Sequence, residues 1–70
     1  MIKVRYMENT DANSNDYYIV AFSDTKEEVT PTAKFVGLPE GAGIEFGSRI
    51  TTANGELAYM KSNGQWNWVE

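Results

Sequence analysis

Two Asn-Gly pairs, Asn54-Gly55 and Asn63-Gly64, stand nine residues apart near the C-terminus, each between short runs of strand-forming residues. Asn-Gly is the strongest short-range hairpin signal, because a two-residue type I′ turn holds both central residues at positive φ. Repeated at this spacing, the pair writes a three-stranded meander into the last third of the chain. Register then follows by counting. Ile50 faces Tyr59, and Tyr59 faces Trp68, so Ile50, Tyr59 and Trp68 form one row across all three strands. The same face carries Thr52, Leu57, Lys61 and Trp66, and the opposite face Arg49, Thr51, Ala58, Met60, Asn67 and Val69. Aromatic and β-branched cross-strand pairs each contribute about 0.2–1 kcal/mol, so the Ile50–Tyr59–Trp68 row is the expected core. Trp66 lies nearer the turn, opposite Lys61. These two are the expected partner contact.

The rest of the chain also reads as β structure. Residues 1–7 alternate, with Ile2, Val4 and Tyr6 on one face of a half-buried strand. Residues 8–16 hold nothing apolar larger than Ala12 and form an exposed loop. Residues 17–22 are continuously apolar or aromatic, which suits a central strand covered on both faces. The first two runs form an antiparallel hairpin across the polar loop. Thr25 and Glu28 fit a capping box, but Pro31 follows closely and limits any helix to one turn. Residues 33–37 make a further short strand, and residues 38–43 a loop rich in Gly and Pro. No repeat or linker divides the chain, so residues 1–70 are one domain. The expected fold is all-β, a small antiparallel barrel or two-layer sandwich of five to six strands with a C-terminal three-stranded meander. The N-terminal hairpin is expected to cover the meander's aromatic face.

Composition narrows function by exclusion. Seventy residues bury only about 60% of the surface their unfolded chain exposes. Small domains usually add disulfides, a metal or a partner chain. There is no Cys and no His, so the disulfide, thiolate and imidazole routes are closed, along with the commonest acid–base catalyst. Either the core is well packed or the chain associates with further copies or with a larger body, and association is the expectation. Net charge is −4, and the six bases (Lys3, Arg5, Lys26, Lys34, Arg49, Lys61) are scattered singly. A nucleic-acid binder needs clustered positive charge, so the sequence argues against nucleic acid as a partner. No apolar run approaches the ~20 residues of a membrane span. The N-terminus lacks the apolar segment of a secretory signal, which points to synthesis in the cytoplasm.

Catalysis has little support. A Ser nucleophile needs a base, and paired carboxylates need a cleft that so short a chain can hardly enclose. The Gly-rich residues 37–47 lack the Lys-Ser/Thr of a phosphate loop. Asp11, Asn13 and Asn15 resemble the start of a calcium loop, but Asp16 stands where its Gly belongs and Phe22 where its bidentate Glu belongs. The expectation is therefore no enzyme, no cofactor and no metal. A ring platform of Trp66, Trp68 and Tyr59 for a sugar, a proline-rich peptide or an unstacked base is the alternative to a structural role.

Residues 36–69 carry a wider pattern: Val-Gly-Leu-Pro-Glu-Gly, then Gly47-Ser48, a short strand, Asn54-Gly55, an aromatic strand, Asn63-Gly64, and Trp66 and Trp68 near the end. This resembles small, mostly uncharacterised structural proteins of tailed bacteriophages and prophages. The resemblance covers about half the chain and carries no functional residues over. It implies a virion-associated decoration, head–tail or tail-accessory subunit that binds its own copies or a larger phage protein. A carbohydrate- or peptide-binding module, or a small host-directed regulator, are the other readings.

Overall fold

The computed structural model describes residues 1–9, 11–62 and 64–69 and joins the β runs into one mixed sheet. In chain order the elements are β1 (Ile2–Glu8), β2 (Asp16–Ser23), a 3₁₀ turn (Lys26–Glu28), β3 (Phe35–Val36), β4 (Gly43–Ile44), β5 (Arg49–Thr52), β6 (Leu57–Met60) and β7 (Trp66–Trp68). The sheet runs β3-β1-β2-β5-β6-β7, with β4 also paired to β2. The all-β expectation holds. The sheet has seven strands, includes parallel pairs, and is not closed.

β2 is the central strand, antiparallel to β1 and parallel to β5. Ile19, Ala21 and Ser23 are buried on one face, while Tyr18, Val20 and Phe22 are only half-buried on the other. The apolar run therefore reflects pairing along both edges rather than cover on both faces. The N-terminal hairpin does not cover the meander, because the β2–β5 pairing sets the two side by side in one sheet. Cover comes from the crossover between β2 and β5. Val29, Ala33, Phe35, Leu38 and Ile44 pack from it onto the core of Ile2, Ile19, Ala21 and Ile50.

A bulge between Val4 and Tyr6 interrupts β1. Ile2 and Val4 face the core as expected, but the extra residue turns Tyr6 to the outer face, where it is 51% exposed. A second irregularity splits the strand beside β2 into β4 and β5, with two residues more than β2 needs between the paired segments. Here the fully buried Ser48 places its Oγ 2.9 Å from the backbone N–H of Ile19 and accepts its hydrogen bond. The hydroxyl stands in for the carbonyl that the looped-out backbone cannot supply.

The meander is present with a register one residue from the sequence expectation. Ile50 faces Ala58, which faces Trp68; Arg49 faces Tyr59, which faces Asn67. The first turn explains the slip. Gly55 N–H donates to Thr52 O, and Thr52 N–H donates to Glu56 O. Gly55 has φ 83°, while Asn54 is not at positive φ. This is a three-residue loop, a type I turn followed by a left-handed Gly in a G1 bulge, and not a two-residue type I′ turn. Lys61 and Gln65 repeat the pattern around Gly64, at φ 78°. Asn63, expected to share that turn, lies outside the described residues. Because side chains alternate with period 2, one added loop residue reverses both faces of a strand. Ala58 and Met60 point inward, and Tyr59 leaves the expected core row for the outer face. Ile50 remains fully buried.

The sheet is strongly curled. β3 and β7 are its two edges, with four strands between them. Five interstrand steps would separate them by about 24 Å in a flat sheet. Yet the rings of Phe35 and Trp66, one on each edge, stack with centroids 6.1 Å apart and planes 23° apart. Only a sheet wrapped around its core brings its edges to this contact.

Candidate functional site

The space between the two edges is a groove of about 1100 Å³ whose walls include Leu38, Ile44, Met60, Phe35, Trp66 and Trp68. It is large beside an ordinary small-molecule pocket of about 300–1,000 Å³. β7 and the end of β6 form one wall; the crossover, rich in Pro and Gly and so without long strands, forms the other. Trp66 and Trp68 stand two apart on a strand and so project to the same side. Lys26 places its ammonium 5.1 Å from the Trp68 ring centroid, within reach of a cation–π attraction. Lys34 and Glu40 bring one charge of each sign to the lining.

The backbone of β7 adds a second feature. Val69 N–H donates to Leu57 O, and Lys61 N–H donates to Gln65 O. In an antiparallel ladder hydrogen-bonded pairs alternate with non-bonded ones. Ala58–Trp68 and Met60–Trp66 are therefore the non-bonded pairs. The backbone N–H and C=O of Trp66 and Trp68 point away from β6, toward the edge where no strand follows.

Trp66, the expected partner contact, is half-buried and lines the groove. Lys61 does not join it: the register sets Met60 opposite Trp66 and Lys61 opposite Gln65, and Lys61 is exposed outside the groove. Of the expected core row, Ile50 and Trp68 face inward and Tyr59 outward. Asn54, Gly55 and Gly64 serve the turns only. Phe35 was not singled out by the sequence, since nothing local ties it to Trp66.

Several polar side chains elsewhere are occupied with structure. Asn9, Asp11 and Ser14 each accept a backbone N–H two residues on, at 2.9–3.1 Å, shaping the β1–β2 loop. The Met1 ammonium is held by Glu28 and by Asp24, the latter at 3.1 Å. Glu28 also accepts from Ser23 Oγ at 3.1 Å and from Thr25 N–H at 3.4 Å. The Met1–Glu28 hydrogen bond raises the amine pKa above its ordinary value and lowers that of Glu28. No group of three or more metal-ligating side chains occurs among the described residues. No described helix is long and apolar enough to cross a membrane. Against known proteins the chain matches no family model, no curated protein and no solved structure.

Proposed function

We propose that the chain is a non-enzymatic structural or assembly protein that acts through protein–protein contacts at the groove between its sheet edges. The observation that carries this reading is the edge of β7, where backbone donors and acceptors of Trp66 and Trp68 sit beside two aromatic rings. An extended partner segment laid along β7 gains main-chain hydrogen bonds, and its alternate side chains enter the apolar groove. The resemblance of residues 36–69 to phage and prophage structural proteins supports a virion subunit, or a further copy of the chain, as the partner. It also supports virion association after synthesis in the cytoplasm.

The test is reconstitution with the structural proteins encoded beside the chain's own gene, with affinity followed by tryptophan fluorescence. Trp66→Ala is expected to weaken the complex at least tenfold. Trp66→Pro is expected to weaken it further, because it also removes the edge N–H. Equal loss in both variants removes the strand-addition mechanism. Saturable quenching by a sugar, with no protein complex formed, replaces the proposal with the carbohydrate-binding alternative.

A further inference from the structure

The outer face of the sheet gathers a charge cluster that the chain does not show in one dimension. Lys3 pairs across to Phe22, and Phe22 to Thr51. Tyr6 pairs to Val20, Val20 to Arg49, and Arg49 to Tyr59. Residues directly opposite share a face, so these two rows lie side by side on the surface away from the core. Arg5, the bulged residue, joins them with its guanidinium 5.4 Å from the Phe22 centroid. Tyr6 and Tyr18 meet edge to face at 6.3 Å. Three of the six bases thus stand on one face among four aromatic rings.

Acids border the cluster. Glu8, opposite Tyr18, shares the face of Tyr6 and accepts its hydroxyl at 2.8 Å, while Asp16 lies at the end of β2 farthest from Lys3. Asp24 adjoins Lys3 and Arg5 but holds the Met1 ammonium. Among the described residues Lys3, Arg5 and Arg49 have no ion-pair partner. The molecule measures 36 × 22 × 20 Å, and charges farther apart than about 8 Å are largely screened at physiological salt. Local charge, not the net −4, decides what this face attracts.

The geometry points to this face as a binding site for single-stranded nucleic acid, with Lys3, Arg5 and Arg49 on the phosphates and Phe22 and Tyr59 under the bases. A single strand fits this surface better than a duplex does. Flat rings on an open sheet accept unstacked bases, and an arginine lying over one ring can shift to a phosphate while its place is taken by a base. The site is separate from the groove, which opens on the opposite face.

The experiment is anisotropy titration of a fluorescein-labelled 12-nucleotide oligo(dT) at several salt concentrations. Saturable binding is expected in 50 mM salt, with log K falling against log salt at a slope of about −2, or about −0.7 for each of three phosphates engaged. Arg49→Gln is expected to reduce that slope by about 0.7. Tyr59→Leu is expected to weaken binding about tenfold and leave the slope unchanged, since stacking releases no counterion. The double variant K3E/R49E abolishes binding, and Trp66→Ala preserves it, with near-UV circular dichroism confirming that each variant is folded. Absence of binding at 50 mM salt overturns the inference. So does equal competition by poly-glutamate, which marks the face as a site for acidic protein segments, or indifference of affinity to Tyr59→Leu. Binding of the oligonucleotide leaves the edge-groove proposal untouched, because its test reads Trp66.

Discussion

At the scale of single residues, the most consequential groups are those that replace missing backbone partners. Ser48 Oγ accepts the Ile19 N–H where the strand beside β2 breaks, and both residues are fully buried. Ser48→Ala leaves that N–H without a partner. A loss of about 1–3 kcal/mol is expected from the shift in urea midpoint at unchanged m-value. The turn residues divide in a way that separates the two hairpin geometries. Gly55 at φ 83° is irreplaceable by a β-branched residue, so Gly55→Val is expected to cost about 1–3 kcal/mol. A Cβ there meets no atom within 4 Å, so the cost is backbone strain alone. Asn54 stays out of the left-handed region, so Asn54→Ala is expected to cost less than about 0.5 kcal/mol. Equal costs at both positions in thermal denaturation would restore the type I′ turn.

At the scale of elements, the sequence was legible wherever the signal was local. The Thr25–Glu28 box became a 3₁₀ turn of three residues that ends before Pro31, and the central place of β2 could be read from its unbroken apolar run. Register was not legible, because Asn-Gly serves both a two-residue I′ loop and a three-residue loop with a G1 bulge. What favours the longer loop is burial: Ala58 has 0% exposure between Ile50 and Trp68, a position where a methyl group fits and the Tyr59 ring would not. The 3₁₀ turn also anchors the chain start through Glu28. The amine pKa is raised, so its contribution is complete below about pH 8 and fades as pH rises through the raised value. The Glu28 pKa is lowered, so its contribution is complete above about pH 4.5 and fades as pH falls through the lowered value. The melting-temperature difference between the chain and its Glu28→Gln variant is thus expected to be widest between about pH 5 and 8. Both groups are exposed, and 1 M salt is expected to shrink the difference.

At the scale of the whole molecule, the curl of the sheet is the central fact, and one ring pair reports it. Phe35→Ala removes the stacking partner of Trp66 and part of the half-buried core. A loss of about 1–3 kcal/mol is expected, with stronger quenching of tryptophan fluorescence by acrylamide as the groove opens. Val36→Ala, on the same strand but 47% exposed, is expected to change stability by less than about 0.5 kcal/mol and quenching not at all. If both variants quench alike, β3 and β7 do not support each other.

The sequence alone determined the β class, the places of the turns and the Gly residues that make them, because each rests on preferences acting over a few neighbouring residues. The tertiary structure decided which side chains share a face and which edges meet. One loop residue moved Tyr59 outward and Ala58 inward. The parallel β2–β5 pairing merged hairpin and meander, and the curl set Phe35 against Trp66. The same pairings set Lys3 and Arg49 on one face, and the β1 bulge laid Arg5 over Phe22 beside them. These outcomes depend on hydrogen bonds and burial between residues far apart in sequence, and no local preference encodes them.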